Sequence, residues 1–342
     1  MSAEQKHPSD DLSRPKTVRQ YLRLYLTGFA MGSADIVPGV SGGTMAFILG
    51  FYEDLLNGIK AFNLDVLRLV VAGKFKEALD KLPLLFLITL GLGILTALLS
   101  LARGLSWMLD NEPELLFSFF FGLVVASIIA VGVRIERWSM PVIAGLLVGT
   151  VVAFIIVGLT PAEGENHSTP VLFFSGMVAI MAMILPGISG SFILLLLGQY
   201  KYVLNAVKDF DIATVLTVGL GALIGIIGFS RVLSWLLRKY EQLTLAILTG
   251  FMIGSLRKIY PFREAIPLSD EAALEHAQEF TRAVMPDFSS TDFYFALALC
   301  ILGFVIVSVL DHMQSKSNPA VLFVQRMTGM QKTTTKTSPV SK

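Results

Sequence analysis

Charge is scarce in this chain. Only 15% of its 342 residues are Asp, Glu, Lys or Arg, against 54% hydrophobic, and the mean hydropathy is +0.68. A soluble domain of this size needs a more charged surface, so the composition is that of an integral membrane protein. The formal net charge of +1 gives no footing for nucleic acid or another polyanion. Cysteine is almost absent: Cys300 stands alone in an apolar run, which excludes an internal disulfide and a cysteine metal cluster. His7, His167, His276 and His312 read as tail or loop residues, so zinc and haem arrangements drop out and no cofactor or metal is expected. The polar start MSAEQKHPSDDLSRPKTVRQ lacks a short apolar core with a small-residue cleavage site, and no cleaved leader is expected.

What the chain does have is a duplication. At a shift of 148 residues, ILPGISGSFILLLLGQYKYVLNAVKDF (184–210) falls beneath IVPGVSGGTMAFILGFYEDLLNGIKAF (36–62). Pro38, Gly39, Ser41, Gly42, Gly50, Tyr52 and Asn57 then meet Pro186, Gly187, Ser189, Gly190, Gly198, Tyr200 and Asn205 without a gap. A second block matches at a shift of 128, where Arg103, Trp107 and Gly122 meet Arg231, Trp235 and Gly250. The difference of 20 is an insertion at about 63–82 of the first half. Chance likeness between apolar helices yields scattered Leu and Gly, rarely Pro, Arg, Trp and Asn in step.

Three apolar runs follow each Pro-Gly block: about 84–109, 115–133 and 141–159, then 212–237, 243–257 and 291–310. Most are long enough for a hydrocarbon core of about 30 Å at about 1.5 Å per residue. Three crossings per half place the second half upside down relative to the first. With both termini inside and each Pro-Gly block entering and leaving on one face, the inner segments hold 18 Lys and Arg and the outer ones 4. The expected architecture is therefore an all-α polytopic membrane protein with an inverted-topology repeat. Each half is a Pro-Gly-broken re-entrant helical hairpin plus three transmembrane helices. Its parts are a cytoplasmic tail (1–20), a first membrane repeat (21–160), a second (170–312) and a C-terminal cytoplasmic tail (313–342). In the outer loop, Ala273, Ala277, Phe280 and Val284 have the spacing of a short surface helix.

Helix-breaking loops at membrane depth survive only inside protein or beside water, because unpaired backbone in hydrocarbon costs several kcal/mol per group, roughly. Two of them, one per inverted half, are expected to meet near the pseudo-two-fold axis, where transporters of this kind bind substrate. Pro38, Gly39, Ser41, Gly42, Gly43 and Thr44, with Pro186, Gly187, Ser189, Gly190 and Ser191, supply turns, hydroxyls and free N–H groups suited to an anion, above all a phosphate. The competing reading of such a loop is a tight packing kink. Arg103 and Arg231 each lie inside an apolar helix, where a cation faces a cavity or a partner, and guanidinium suits phosphate oxygens. Trp107 and Trp235, four residues on, equally fit a helix-end belt with the arginines reaching for headgroups. Asp35, whose counterpart is Met183, gives only the first loop a carboxylate. It is a candidate for coupling transport to protons, or else a helix cap or an Arg partner.

At DIVPGVSGGTMAFILGFY with ILPGISGSFILLLLGQY, over roughly 20–312, the chain resembles the PopT-type undecaprenyl-phosphate translocases. That resemblance implies a bacterial cytoplasmic-membrane protein, with a polyprenyl-phosphate lipid as partner, that returns the lipid carrier of cell-wall synthesis to the cytoplasmic leaflet. It marks the paired loops as the site. The BacA-type undecaprenyl-pyrophosphate phosphatases look similar but carry a PG-x-S-R-S motif. Gly42 and Gly190 stand here in place of its Arg, and the Glu-rich catalytic helix is missing, so an enzyme is not expected. A carrier or channel for a small soluble anion remains an alternative.

Overall fold

The computed structural model describes residues 15, 17–36, 41–159, 166–265, 281–315 and 318–327. Pro38, Gly39, His7, His276 and most of the expected outer helix lie outside them. The first half comprises α1 (Val18–Asp35), α2 (Gly42–Ile48), α3 (Tyr52–Lys60), α4 (Leu64–Val71), α5 (Phe75–Lys81), α6 (Leu84–Asn111), α7 (Pro113–Gly132) and α8 (Met140–Ile156). The second comprises α9 (Thr169–Ile184), α10 (Gly190–Leu196), α11 (Tyr200–Lys208), α12 (Ile212–Lys239), α13 (Glu241–Ile259), strands β1 (Arg263–Ala265) and β2 (Thr281–Ala283), and α14 (Thr291–Ser315). A last short helix, α15, spans Pro319–Met327.

The helix bounds repeat with the sequence. α2 and α3 recur as α10 and α11 after 148 residues, and α6 recurs as α12 after 128, each at the same length. The insertion between them folds as α4 and α5, the first capped by Asn63 Oδ1, which accepts from Asp65 N and Val66 N. Starts are written locally. Thr17 and Gln20 form a capping box on α1, Asp211 caps α12, and Pro stands in the first turn of α7, α8 and α9. The turns joining α2 to α3 and α10 to α11 use Gly50 and Gly198 at φ 64° and 68°. An L side chain is strained at that φ, which explains why both positions are glycine.

α6, α7, α12 and α14 are each long and apolar enough to span a membrane. Exposed Leu85, Leu92, Leu99, Leu216, Leu220 and Ile224 cover the outside of α6 and α12. Without charges to interrupt them, these are lipid-facing surfaces, and the protein is a multi-pass, overwhelmingly helical membrane protein. α1 packs on α6 and α9 on α12 within the halves, while α8 packs on α13 and α7 on α14 between them. The pairing repeats in register: Gly28 and Gly93 of α1–α6 face the backbones of Leu90 and Tyr25, and Gly176 and Gly221 of α9–α12 face Val218 and Phe173. The core of Leu116, Phe120, Leu123, Val124, Leu248 and Met252 lies between α7 and α13.

Two expectations change. Thr281–Ala283 pair antiparallel with Arg263–Ala265, so residues 281–283 are a strand and do not continue a helix to Val284. The ladder satisfies backbone groups that an isolated turn of helix leaves open. His312 belongs to α14, not to a loop. The helix runs past its apolar stretch because Asp311 is held there, accepting from Arg134 Nη2 at 3.1 Å and from Asn318 Nδ2 at 2.8 Å.

Candidate functional site at the paired loops

The two broken segments meet. α9 ends at Ile184; its C-cap Leu185 takes an extended conformation as residues before proline do, and Pro186 has no N–H to continue the ladder. The last carbonyls of α9 therefore need donors from elsewhere. The other half supplies them: Ser41 Oγ donates to Met183 O at 3.3 Å and Tyr52 OH to Ile184 O at 2.9 Å. A third bond runs the opposite way, from Gly187 N to Thr44 Oγ1 at 2.9 Å. Ser41, Thr44 and Tyr52 are all buried.

Close approach is the reason for the glycines. A Cβ on Gly43 would stand 2.9 Å from the carbonyl oxygens of both Met183 and Ile184, which are backbone and cannot swing away. One on Gly42 would stand 2.5 Å from Asp35 Oδ2, and one on Gly187 2.6 Å from Ser255 Oγ. Ser41 Oγ is the N-cap of α2, accepting from Gly43 N at 3.1 Å, and Asp35 Oδ1 adds to the capping by accepting from Gly42 N at 2.7 Å, one of the two structural roles the sequence allowed it. In the second half Met183 takes its place beside Gly190 and offers no acceptor side chain.

The loops are not equivalent. Ser41 and Thr44 are consumed by contacts between the halves, whereas Ser189 is half-buried, Ser191 is exposed, and their hydroxyls lie 2.7 Å apart. The second loop is the one that presents polar groups outward. Gly190 is buried and packs on Ala179 of α9.

The arginines lie elsewhere. Arg103 is exposed on α6, and Arg231, exposed on α12, donates from Nη2 to Phe62 O at 3.2 Å, at the end of α3. Trp107 and Trp235 are exposed beside them. Sequence reasoning missed Tyr52, although its match with Tyr200 was visible, because nothing along the chain says that a tyrosine of one half meets a carbonyl of the other. Among the described residues no three metal-ligating side chains gather.

With this geometry in place, comparison with known proteins is decisive. Residues 31–276 match the family model described as VCA0040-like, undecaprenyl phosphate translocase-like. The chain belongs to that family. Within it, a protein of Vibrio cholerae serotype O1 named polyprenyl-phosphate transporter is 44% identical over 266 residues, covering 78% of this chain and 86% of the relative. A Staphylococcus aureus protein of the same name is 32% identical over 260 residues, covering 69% and 85%. Both relatives are named as transporters, not as enzymes. No solved structure matches the chain.

Proposed function

We propose that this family member carries a polyprenyl phosphate, the undecaprenyl phosphate carrier of cell-wall synthesis, back to the inner leaflet of the bacterial cytoplasmic membrane. The observation that carries the reading is the junction of two helix-breaking loops, one from each half, in a protein whose relatives are polyprenyl-phosphate transporters. An anionic head resists hydrocarbon while its prenyl tail does not, so the protein need only give the head a polar path and leave the tail in lipid. In this reading residues 41–44 and 186–191 line that path with hydroxyls and backbone groups, and Pro38 and Gly39 belong to the same motif. Arg103 and Arg231 meet the phosphate from the lipid side, each on a helix surface that faces the acyl chains. Asp35 is the coupling carboxylate in this reading, exchanging its bond to Gly42 N for a proton.

Inverted halves, with both termini cytoplasmic, complete the proposal. Support comes from helix direction. Gly145 and Gly149 of α8 face Leu243 and Ile247 of α13, and Gly250 and Gly254 of α13 face Leu146 and Thr150 of α8. Both sets of numbers rise together, so α8 and α13 run parallel. α7 and α8 are joined by the short link 133–139, and α7 and α13 are equivalent helices of the two halves. A descending α7 and an ascending α13 are what inversion requires. The hairpins α1–α2–α3 and α9–α10–α11 are then re-entrant, each returning to the face it left.

The test is leaflet-to-leaflet transfer of a labelled polyprenyl phosphate in proteoliposomes, with and without a proton gradient. We expect transfer by the wild type and at least about a ten-fold loss in Ser41→Ala with Ser189→Ala and in Arg103→Ala with Arg231→Ala, each removing charge-assisted or hydroxyl contacts. A wild type that moves small anions but not the lipid would sink the reading.

A further inference from the structure

Three cations gather where the positive-inside rule leaves least room for them. On the proposed topology the C-terminal end of α13 and the strand β1 are outside, yet they carry Arg257, Lys258 and Arg263 within seven residues. Each is fixed by packing. Arg257 Nη1 donates to Phe154 O at 3.2 Å, and its guanidinium lies 4.4 Å from the Phe154 ring centroid, closing the end of α8. Arg263 Nη1 donates to Lys258 O. Lys258 Nζ sits 4.7 Å from the ring centroid of Phe192. Phe192 is three residues from Ser189 on α10, and thus on the same face as that hydroxyl. One turn earlier on α13, Ser255 packs against Gly187 itself. Arg257 and Lys258 therefore stand on a helix that touches the second loop, with Arg263 on the strand that follows it, beside the loop whose hydroxyls are open. The residues 128 earlier than Arg257 and Lys258 are Ile129 and Ala130, and of the arginines that follow in the first half, Arg134 is paired with Asp311. Burial and the neighbouring Arg257 charge hold the Arg263 guanidinium below its ordinary value, the sign expected of cations crowded together. The adjoining carboxylate Glu264 is engaged by Arg282 at 3.2 Å.

We propose that Lys258, backed by Arg257 and Arg263, is the receiving site for a phosphate monoester head group on its way to Ser189 and Ser191. The inference rests on the translocase reading and adds a direction to it: the second loop, not the first, takes the head group from the outer leaflet. Lysine serves such a station well, since a compact point charge with three donors meets a phosphate without demanding one bidentate geometry.

The experiment measures binding of a fluorescent polyprenyl phosphate to the full chain in nanodiscs, with unlabelled polyprenyl phosphate, polyprenol and inorganic phosphate as competitors. Leaflet transfer is measured on the same preparations. Lys258→Gln should weaken binding about ten-fold, Lys258→Arg should restore it to within about three-fold, and Lys76→Gln on α5 should leave it unchanged. Polyprenol should compete poorly and inorganic phosphate only at far higher concentration than the lipid. Wild-type affinity in Lys258→Gln, alongside normal wild-type transfer, overturns this site and leaves the translocase reading standing. Equal competition by polyprenol overturns recognition of the phosphate, and equal competition by inorganic phosphate overturns the lipid as its source. A wild type that neither binds nor transfers the lipid overturns both proposals.

Discussion

Tyr52 shows how much one hydroxyl holds at this junction. Its ring is buried and lies 4.8 Å from that of Phe47, while its OH closes the end of a helix in the other half of the chain. Tyr52→Phe keeps the packing and leaves the Ile184 carbonyl without its donor, a loss of about 1–3 kcal/mol. We expect a lowered Tm for Tyr52→Phe in thermal unfolding of the purified protein. Tyr200→Phe, the equivalent change at a half-buried residue, should hardly move it; equal shifts would mean that the bond to Ile184 carries no weight. Gly43 makes the complementary case. An added methyl meets two backbone carbonyls there, and the overpacking costs about 1–3 kcal/mol. Gly91→Ala, where a methyl would have nothing within 4 Å, is the matched control. Transfer of labelled lipid should fall several-fold in Gly43→Ala and persist in Gly91→Ala. Retained transfer in Gly43→Ala would mean that the loops need not approach as closely as they do here.

Among the elements, the clearest expectation concerns the helix pairs that occur twice. α1 on α6 and α9 on α12 use glycines at matched positions, Gly93 and Gly221, each against a backbone carbonyl of the neighbouring helix. Between lipid-bathed helices such contact replaces the hydrophobic drive that water supplies elsewhere. Gly93→Val and Gly221→Val should therefore each lower thermal stability in detergent, by similar amounts; damage from only one would show that the two pairs are not energetically equivalent. The same physics explains what could be read from the chain beforehand. Helix bounds were legible because Pro, Gly and Asn punctuate the runs, and because a motif written twice checks itself. The buried face of each helix was not, because lipid and protein core are both apolar and the usual alternation of polar and apolar sides is weak. That is why Arg103 and Arg231 could be placed in their helices but not turned toward or away from the loops. The bond from Tyr52 to Ile184 was hidden for a different reason, joining residues 132 apart through a contact that no local pattern encodes. The strand Thr281–Ala283 was not legible because Val284 continues a helical spacing as readily as it follows a strand.

At the scale of the whole molecule the proposal turns on inversion, since an inverted pair of halves can expose one loop junction to either side in turn. Glu112 and Tyr240 are the place to test it. They are 128 residues apart, and each is the single residue between two long helices, Glu112 between α6 and α7 and Tyr240 between α12 and α13. A duplication without inversion puts both on one face; the inverted arrangement puts Glu112 outside and Tyr240 inside. Single cysteines at these positions, in a Cys300→Ser background, should divide cleanly when intact cells are treated with a membrane-impermeant thiol reagent. Glu112→Cys should label at once, and Tyr240→Cys only after the membrane is opened. In the inverted arrangement the inner turn also has a headgroup belt, for Lys239 Nζ lies 5.3 Å from both the Trp235 and Tyr240 ring centroids. Should both cysteines label from outside, the parallel course of α8 and α13 would have to arise without inversion. The two loops would then open to the same face, leaving no route across the membrane by alternation between them.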